Sequence, residues 1–572
     1  MTKFRFWAPK ARKLSLCIEN REYQMSPEKD GFWHTELKNL KQPILYACKI
    51  DGRGPFPDPA SRFQPDGVHG QSQLWQDDFQ WSDENWQATP LKDAIIYELH
   101  TGTFSPQGTF AAIIEKLDYL VQLGVTHIEL LPVAAFPGQR GWGYDGVALY
   151  APHNSYGTPA DLKKLVNACH QRGLAIILDV VYNHLGPDGN YLGLYGHYFS
   201  SRYHTPWGDA VNFDSAHSDQ VREFVIENAL MWLRDFHFDG LRLDAVHAIY
   251  DFSALHILEE LQARVDKLAT ACGRAHFLIA ESSLNDPRIL ESPAKGGYGL
   301  AAQWLDDFHH AVHVMLTGEQ LGYYIDFTGH ADLDKCLNEY FVCDGHYSTY
   351  RKRRHGRPAT HLPPECFVVS TQTHDQVGNR GNGERLCHLT SFYNCQIAAA
   401  LMFLSPFVPM LFQGEEWAAS TPFLYFTDHV DAALAKSVRE GRRRDYAFTG
   451  KRVPDPQAAK TFQRSILKWS ETTDGEHRKM IEWYKNLIAL RHQYLDEIRK
   501  NQRSFRPVRN FKDLYVYDTG RMKVLVNTGS KSASFADASM ASARILLQNR
   551  PVGVDDDILT LLPGCAAVIL TD

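Results

Sequence analysis

The chain has 572 residues, of which 44% are hydrophobic and 22% are charged, and its formal net charge is −7. This composition is typical of a soluble globular protein that is too long for a single core. The small negative charge excludes a general affinity for nucleic acid or for anionic membranes, and no apolar run approaches the ~20 residues that span a bilayer. The 10 cysteines lie without close CxxC pairs, so we expect neither a zinc site nor a disulfide framework.

The first part of the chain reads as β-structure. The segments FRFWAP, KLSLCIE and ILYACKI alternate apolar and polar residues, and a stretch rich in Gly, Pro and Asp follows at 51–70. We therefore predict a small N-terminal β-sandwich for residues 1–85. The charges of the first 20 residues are dispersed and no long apolar segment follows them, unlike a signal peptide, so a cytoplasmic location is the expectation.

From Ala94 onwards, short apolar segments alternate with stretches of helical spacing. Such strands are typical of a parallel sheet covered by helices, and eight strand–helix units within roughly 400 residues fit a (β/α)8 TIM barrel with insertions. The eight predicted strands lie within the segments 94–100, 126–133, 174–184, 238–246, 276–282, 301–307, 366–375 and 408–417. A doubly wound open sheet is the alternative, but no GxGxxG follows the first strand.

The predicted fold class is thus a multidomain α/β protein, with a central TIM barrel between N-terminal and C-terminal β-sandwich domains. We place the barrel at 86–490, with insertions at about 183–214 and 318–364. The alternating segments DLYVYDTGRMKVLVNTG and DILTLLPGCAAVILTD predict the second sandwich within 491–572.

Polar residues follow several of the predicted strands, at the barrel end where active sites lie. They comprise carboxylates, imidazoles, an amide and a guanidinium that should converge in space: Asp179, Asn183 and His184 on the third strand, Arg242 and Asp244 on the fourth, Glu281 on the fifth, and His374 and Asp375 on the seventh. Individually, such residues are more often internal ion pairs, solvated loop residues or helix caps. Their joint occurrence at four strand ends favours an active site.

Hydrolysis of a glycosidic bond requires two carboxyl groups in different protonation states. Asp244 suits the nucleophile, because Arg242 lies two residues earlier on the same strand face and favours the ionised form. Glu281 follows the apolar FLIA, and desolvation there would raise its pKa, as a general acid requires. Asp375 could stabilise the transition state, and His184 and His374 could donate hydrogen bonds to the same sugar hydroxyls.

The segments DVVYNH, GLRLDAVH, FLIAES and TQTHDQ resemble the four signature segments of the α-amylase family of glycoside hydrolases. The resemblance implies a nucleophile at Asp244, an acid/base at Glu281 and a transition-state stabiliser at Asp375. The residues that it implies around the reacting sugar are Arg242, His184 and His374, with Tyr144 of GWGYDGV as an aromatic platform and Asn183 and Asp179 in support. It implies no metal and no cofactor for the mechanism.

Longer stretches, including DVVYNHLGPDGNYL and QWLDDFHHAVHVMLTGE, resemble the branch of that family whose substrate is maltooligosyltrehalose. The resemblance implies cleavage of the α-1,4 bond beside the terminal trehalose unit. The fourth segment departs from the common pattern, with Val246-His247 where Lys-His is frequent, so we predict an altered substrate contact at His247. We also predict trehalose recognition by Asp306, Asp307 and His309. The alternative is that Asp306 merely caps the next helix.

Two other functions remain open at this point. A branching enzyme or another α-glucanotransferase would use the same covalent intermediate with a sugar hydroxyl as acceptor. A non-catalytic glucan-binding scaffold would not need the three carboxylates. The basic run RKRRHGR at 351–357 stands alone in an acidic chain, and we interpret it as a solvated loop rather than as a phosphate or nucleic-acid site.

Overall fold

A closed barrel of eight parallel strands forms the centre of the computed structural model, which describes residues 1–446, 452–500, 503–508, 513–536, 543–556 and 558–571. Each strand pairs with the next along the chain, and the eighth closes on the first. Barrel strands 1 to 8 are Ile96–Leu99, His127–Leu130, Ala175–Val180, Gly240–Leu243, Phe277–Ala280, Ala302–Trp304, Phe367–Ser370 and Val408–Phe412. Each lies within its predicted segment, so the predicted barrel is confirmed.

The barrel strands are buried on both faces and mostly apolar, with Glu98 and Asp179 among the exceptions. Helices cover the outside, and their ends carry the expected signals. Helix Pro159–His170 begins with proline, and Thr158 and Asp161 form a reciprocal capping box before it. The longer helices are Leu117–Leu123, Pro159–His170, Ser218–Arg234, Ile257–Cys272, Asp306–Thr317, His330–Glu339, Phe392–Phe403, Ala432–Asp445, Ala459–Ser465 and Gly475–Lys500.

Shorter helical segments complete the βα-connections. The described chain has no α-helix between barrel strands 5 and 6, where two 3-10 turns stand instead, so the prediction of eight strand–helix units is wrong at that point. The short α-helices are Thr101–Phe104, Phe110–Ile114, Leu192–Tyr195, His374–Gly378 and Leu386–Leu389, and the 3-10 turns are Lys29–Gly31, Leu91–Asp93, Val246–Ala248, Pro287–Ile289, Pro293–Lys295, Gly322–Asp326, Pro364–Cys366, Glu415–Trp417 and Trp469–Thr473.

Two sheets precede the barrel and pack around a core that includes Phe4, Leu16 and Tyr46. One sheet contains Thr2–Trp7, Phe32–Leu37 and Ser26–Pro27; the other contains Arg21–Gln24, Leu14–Ile18, Leu45–Ile50, Arg53–Phe56 and Ser72–Gln73. The sheets contact the segment that follows barrel strand 3. Trp7 packs edge-on against Tyr198 at 5.2 Å, and Tyr195 donates a 2.8 Å hydrogen bond to the carbonyl of Pro57.

Two further sheets follow the barrel, as predicted for the C-terminal region, although part of 491–572 lies outside the described residues. One sheet contains Ser504–Pro507, Leu514–Asp518, Met522–Asn527, Cys565–Leu570 and Arg544–Gln548; the other contains Ala533–Ala536, Ile558–Leu561 and Val552–Asp555. Helix Gly475–Lys500 runs across residue 490. The predicted division at 490/491 therefore falls within a helix, and the domain limits stay predictions.

The two predicted insertions carry elements of their own above the barrel. Residues 183–214 contain an antiparallel hairpin, Phe199–Thr205 with Gly208–Val211. The longer insertion, 318–364, contains helix His330–Glu339 and the short pair Tyr347–Ser348 and Arg353–Arg354. A further pair, Ala134–Ala135 and Ala148–Pro152, flanks the loop that carries Tyr144. Across the described residues, no helix is both long and apolar enough to cross a membrane.

Candidate active site

Strand register brings the predicted site residues together. Asp179 on barrel strand 3 lies directly beside Arg242 on strand 4. Leu243 pairs with Ala280 on strand 5, so Asp244 and Glu281, the next residue of each strand, leave the barrel side by side. Because successive side chains alternate between the two faces of a strand, Arg242 and Asp244 point the same way. The sequence spacing thus translates directly into one cluster.

Arg242 is the centre of this cluster and is fully buried. Its Nη1 donates to both carboxylate oxygens of Asp179, at 2.7 and 2.8 Å, and to Oδ1 of Asp244 at 3.0 Å. Its Nη2 lies 2.8 Å from Oε2 of Glu281, and the guanidinium lies 4.2 Å from the centre of the Trp304 ring. One cation therefore holds three carboxyl groups from three strands.

Arg242 itself does not line the cavity above it. Its predicted contact with the substrate stays a prediction. Its donors are directed at carboxylates below the cavity, where they position the acidic groups that do face it. Asp179, predicted to be supporting, lies in the same buried layer. Burial and the charge of Asp244 raise the pKa of Asp179 to about 6, against the lowering effect of Arg242.

Asp244 has the environment of an ionised nucleophile. Burial would raise its pKa, but the charges of Arg242 and His184 and a hydrogen bond from Asn183 outweigh it, so the pKa lies below the usual aspartate value. The Asn183 amide donates to Oδ2 of Asp244 at 2.6 Å and to the Asp244 carbonyl at 2.8 Å. The supporting role predicted for Asn183 thus corresponds to two direct contacts.

Glu281 has the environment of a protonated acid. Burial, with the nearby charges of Asp244, Asp375 and Asp306, raises its pKa to about 8, although Arg242 opposes the shift. The backbone N–H of Ala245 donates to Oε2 at 2.8 Å, the same oxygen that Arg242 contacts. Oε1 is therefore the oxygen left to carry the proton.

Ala245 makes its bond to Glu281 from a strained backbone conformation. Its φ of 39° and ψ of 52° lie in the left-handed region, which a residue with a side chain rarely adopts. This turn directs the Ala245 N–H at Glu281 immediately after the nucleophile position. Strain at such a point costs of order 1–3 kcal/mol and persists where the surrounding structure enforces it.

Asp375 faces the same cavity from the seventh strand. It lies in the first turn of helix His374–Gly378, which Thr373 caps. The Asn379 amide donates to Oδ1 of Asp375 at 2.6 Å. Burial, with the charges of Asp244 and Glu98, raises the pKa of Asp375 above its usual value, although the charge of His374 opposes the shift. All three predicted carboxylates therefore line one pocket.

The ring nitrogen atoms of His374 are bonded within the protein. Nδ1 lies 2.5 Å from Oε1 of Glu98, and Nε2 lies 2.8 Å from the Tyr144 hydroxyl, which itself donates to Asp179 at 2.6 Å. Both nitrogen atoms therefore act as donors, which corresponds to the charged imidazolium. Burial opposes this charge, but Glu98 outweighs it and raises the pKa of His374.

His184 is held in a similar way. Its Nδ1 lies 2.5 Å from the Asn183 side-chain oxygen, and its Nε2 lies 2.8 Å from the carbonyl of Tyr144. His184 and His374 line the cavity, but their nitrogen atoms face protein oxygens. That both donate hydrogen bonds to sugar hydroxyls stays a prediction; they form the cavity wall together with Tyr144, whose ring stacks on His374 at 5.1 Å.

The cavity has a volume of about 560 Å³ and is lined mainly by acidic, aromatic and imidazole side chains. It contains nine residues that the sequence predicted: Tyr144, His184, Asp244, His247, Glu281, Asp306, Asp307, His374 and Asp375. Its volume is within the range of pockets that bind small organic molecules. Burial lowers the pKa of His247, so this side chain is a neutral polar group of the wall.

Two of the three residues predicted to recognise trehalose line the cavity. Asp306 lines the cavity, and burial with the charges of Asp375 and Asp307 raises its pKa to about 7. It is the first residue of helix Asp306–Thr317, whose capping residue is Leu305, so the alternative role as a cap is excluded. Asp307 reaches the cavity, but its Oδ2 accepts from the backbone N–H of Val342 at 2.6 Å and from the Asn285 amide at 2.9 Å.

His309 does not line the cavity, and its predicted substrate contact stays a prediction. Its Nδ1 lies 2.7 Å from the carbonyl of Thr371, and its Nε2 lies 2.8 Å from the Tyr324 hydroxyl. The neighbouring His310 lines the cavity instead. It lies four residues after Asp306, on the same face of the helix, and burial lowers its pKa to about 3. The four-residue spacing is the signal that would have identified it.

Further cavity residues come from both insertions, and Trp207 and Arg351 are two of them. Trp207, at the tip of the hairpin, lies flat on the His184 ring at 3.8 Å. Arg351 lines the cavity and donates to the carbonyl of Ser283 at 3.0 Å. The interpretation of the whole run 351–357 as a solvated loop is thus wrong for Arg351 and for His355, which is buried and also lines the cavity, although Lys352, Arg353 and Arg354 are exposed. Of Trp207 and Arg351, only Trp207 could have been identified from the sequence, because it is a tryptophan within the Gly-rich and Tyr-rich insertion.

Comparison with known proteins agrees with this site. The family described as the alpha amylase catalytic domain matches residues 73–203. A malto-oligosyltrehalose trehalohydrolase from Saccharolobus solfataricus is 49% identical over 86% of this chain and 85% of its own. A solved structure described as an alpha amylase from Salmonella typhimurium superposes with a TM-score of 0.91 and 36% identity, covering 100% of this chain and 97% of its own.

Similarity to a branching enzyme is weaker. A 1,4-alpha-glucan branching enzyme from Mycobacterium bovis is 33% identical over 53% of this chain and 46% of its own. By contrast, the trehalohydrolase similarity extends over most of both chains. The chain therefore belongs to the malto-oligosyltrehalose trehalohydrolase family of α-amylase-type glycoside hydrolases.

Proposed function

We propose that this chain hydrolyses the α-1,4 bond beside the terminal trehalose of maltooligosyltrehalose and releases trehalose and a maltooligosaccharide. The observation that carries the proposal is that the pKa of one carboxyl group is lowered and that of the other is raised, although both groups contact the same guanidinium. Asp244 is held ionised and Glu281 is held protonated, although Arg242 contacts both. Two neighbouring carboxyl groups whose pKa values differ in this way are typical of a general acid and a nucleophile.

The proposed reaction has two steps. Oε1 of Glu281 donates its proton to the glycosidic oxygen while a carboxylate oxygen of Asp244 attacks the anomeric carbon. The bond to trehalose breaks and a β-glucosyl ester forms on Asp244. Glu281, now ionised, takes a proton from water, which attacks the same carbon and restores the α configuration. For this route, we predict that the Asp244 and Glu281 carboxyls lie ~5–5.5 Å apart.

Asp375 is the proposed transition-state stabiliser. Its carboxyl faces the cavity, where its oxygens can accept hydrogen bonds from sugar hydroxyls and stabilise the positive charge that develops at the anomeric carbon. Tyr144, fixed by Asp179 and His374, presents its ring as a wall for the reacting glucose. We assign recognition of the trehalose unit to Asp306, with His310 beside it, because a site built to bind hydroxyl groups rejects ligands that leave them unpaired.

One product assay tests the proposal. The chain is incubated in parallel with maltotriosyltrehalose and with maltopentaose, and the sugars are separated by chromatography. We expect trehalose and maltotriose from the first and much slower cleavage of the second, with the new reducing end released as the α anomer, as proton NMR can follow. Equal cleavage of both substrates, or new α-1,6 branches in place of free trehalose, would refute it in favour of general amylase or branching activity.

A further inference from the structure

An exposed aromatic cluster lies beside the active site, and the reaction described above does not use it. It consists of Tyr203 on the hairpin of the first insertion and Tyr250 and Phe252 in the loop after barrel strand 4. Tyr203 stacks on Tyr250 at 5.2 Å with an 11° angle between the rings, and Phe252 lies 5.8 Å from Tyr203 at 32°. Phe252 is 75% exposed.

Hydrogen bonds within the loop fix the backbone of Phe252 and keep its ring exposed. Its neighbour Asp251 is buried, and Oδ2 of Asp251 accepts from the Arg222 guanidinium at 2.7 Å and from the backbone N–H of Ile257 at 2.6 Å. On the other side, Oδ2 of Asp214 accepts from the Phe252 backbone N–H at 3.1 Å and from the Tyr203 hydroxyl at 2.8 Å. The backbone of Phe252 is therefore fixed while its ring faces solvent.

The aromatic cluster is continuous with the active-site cavity through one hairpin. Trp207 at the hairpin tip lines the cavity, and Tyr203 lies four residues earlier on the strand Phe199–Thr205. At about 3.3 Å per residue, the backbones of the two residues are at most roughly 13 Å apart, and Trp207 lies in the turn that follows the strand. The loop that carries Tyr250 and Phe252 also begins at the catalytic end of the barrel, directly after Asp244. Both elements thus extend outward from the same opening.

We propose that Phe252, supported by Tyr203 and Tyr250, is an outer platform for the glucan chain of the substrate. The inference rests on the proposed function, since it places the far glucosyl units of the same molecule whose trehalose end is cleaved. A flat aromatic ring presents an apolar face that matches the C–H faces of a glucosyl unit. A chain that leaves the cavity past Trp207 meets this ring next. The platform therefore favours long substrates over short ones.

The test compares substrates of two lengths, maltotriosyltrehalose and maltoheptaosyltrehalose. For Phe252→Ala, we expect the ratio of kcat/KM on the long substrate to that on the short one to fall about three- to tenfold, through KM, as the loss of one aromatic contact predicts. Tyr393→Ala is the matched control, because Tyr393 is an exposed aromatic side chain on helix Phe392–Phe403, and it should leave the ratio unchanged. An unchanged ratio for Phe252→Ala, or an equal loss for the control, overturns the platform.

A binding measurement separates this inference from the proposed function. Calorimetric titration of maltoheptaose into Glu281→Gln, with and without Phe252→Ala, measures glucan binding whatever bond the enzyme cuts. We expect affinity to fall about three- to tenfold with the second substitution. If the wild-type protein released no trehalose but this difference persisted, the proposed reaction would fail and the platform would stand. If trehalose were released and the affinities were equal, the platform would fail alone.

Discussion

Replacing Glu281 by glutamine should abolish activity and, at the same time, stabilise the protein at neutral pH. The pKa of Glu281 is raised to about 8 from an ordinary value of 4.5, first by burial and then by neighbouring carboxylates. Because the pKa is higher in the folded state, the unfolded chain loses this proton first as pH rises. The group therefore lowers stability progressively between pH about 4.5 and about 8.

The size of the effect follows from the pKa difference. At pH 7, holding this proton in the folded state costs about 3 kcal/mol relative to the unfolded chain. Glutamine keeps the shape, and its oxygen can accept the bonds that Ala245 and Arg242 now direct at Oε2. For a cooperative unit of roughly 400 residues, about 3 kcal/mol raises the midpoint of thermal unfolding by about 4 °C.

Differential scanning calorimetry at pH 7 and pH 4.5 measures this difference directly. The midpoint gain of Glu281→Gln should be present at pH 7 and small at pH 4.5, where the folded state holds the proton and the unfolded chain is half protonated. Glu482→Gln is the control, because Glu482 is exposed on helix Gly475–Lys500 and its replacement should change the midpoint little at either pH. A destabilised Glu281→Gln at pH 7, or a gain that does not depend on pH, would contradict the assignment of Glu281 as the proton-holding group.

Three further predictions concern activity. Asp244→Asn should lower kcat by about 10³-fold or more with normal folding by circular dichroism, because no ester can form; near-wild-type turnover would exclude Asp244 as nucleophile. The pH profile of kcat/KM should fall above about pH 8, where Glu281 loses its proton; a fall beginning below pH 6 would contradict this. His309→Ala should lower the free energy of unfolding, measured with urea, by about 2–4 kcal/mol. It should leave the preference for maltotriosyltrehalose over maltopentaose intact, since His309 faces away from the cavity.

The barrel could be predicted from sequence because its strands combine two local signals. Each is short and mostly apolar on both faces, as in Ala175–Val180, and all except the fifth are followed by residues of helical spacing. The polar residues that end these strands are fixed by register. Once Asp179 pairs with Arg242 across two strands, the position of Asp244 follows from the two-residue period of a strand. This part of the site is therefore a consequence of local patterns.

The remainder of the site depends on contacts that local patterns do not encode. Whether Arg242 faces the substrate or lies beneath the carboxylates depends on the layers of the barrel interior, where it contacts Asp179 and Trp304. The choice between His309 and His310 depends on the phase of one helix, because adjacent residues of a helix point in different directions. Trp207 lines the cavity because its hairpin folds back over His184. The spacing of residues in the sequence does not predict this position of the hairpin.

The arrangement around Arg242 explains how one cation can serve two carboxyl groups of opposite protonation. Equal contact with a guanidinium would lower both pKa values, so the difference must come from the other neighbours. Asp244 gains two further favourable partners, His184 and Asn183, and stays ionised. The pKa of Glu281 is instead raised most by burial, and the side chain also faces the charges of Asp244, Asp375 and Asp306, which Arg242 cannot neutralise alone, so it holds a proton. The proton that catalysis needs is thus an electrostatic consequence of concentrating several acids around a single buried arginine.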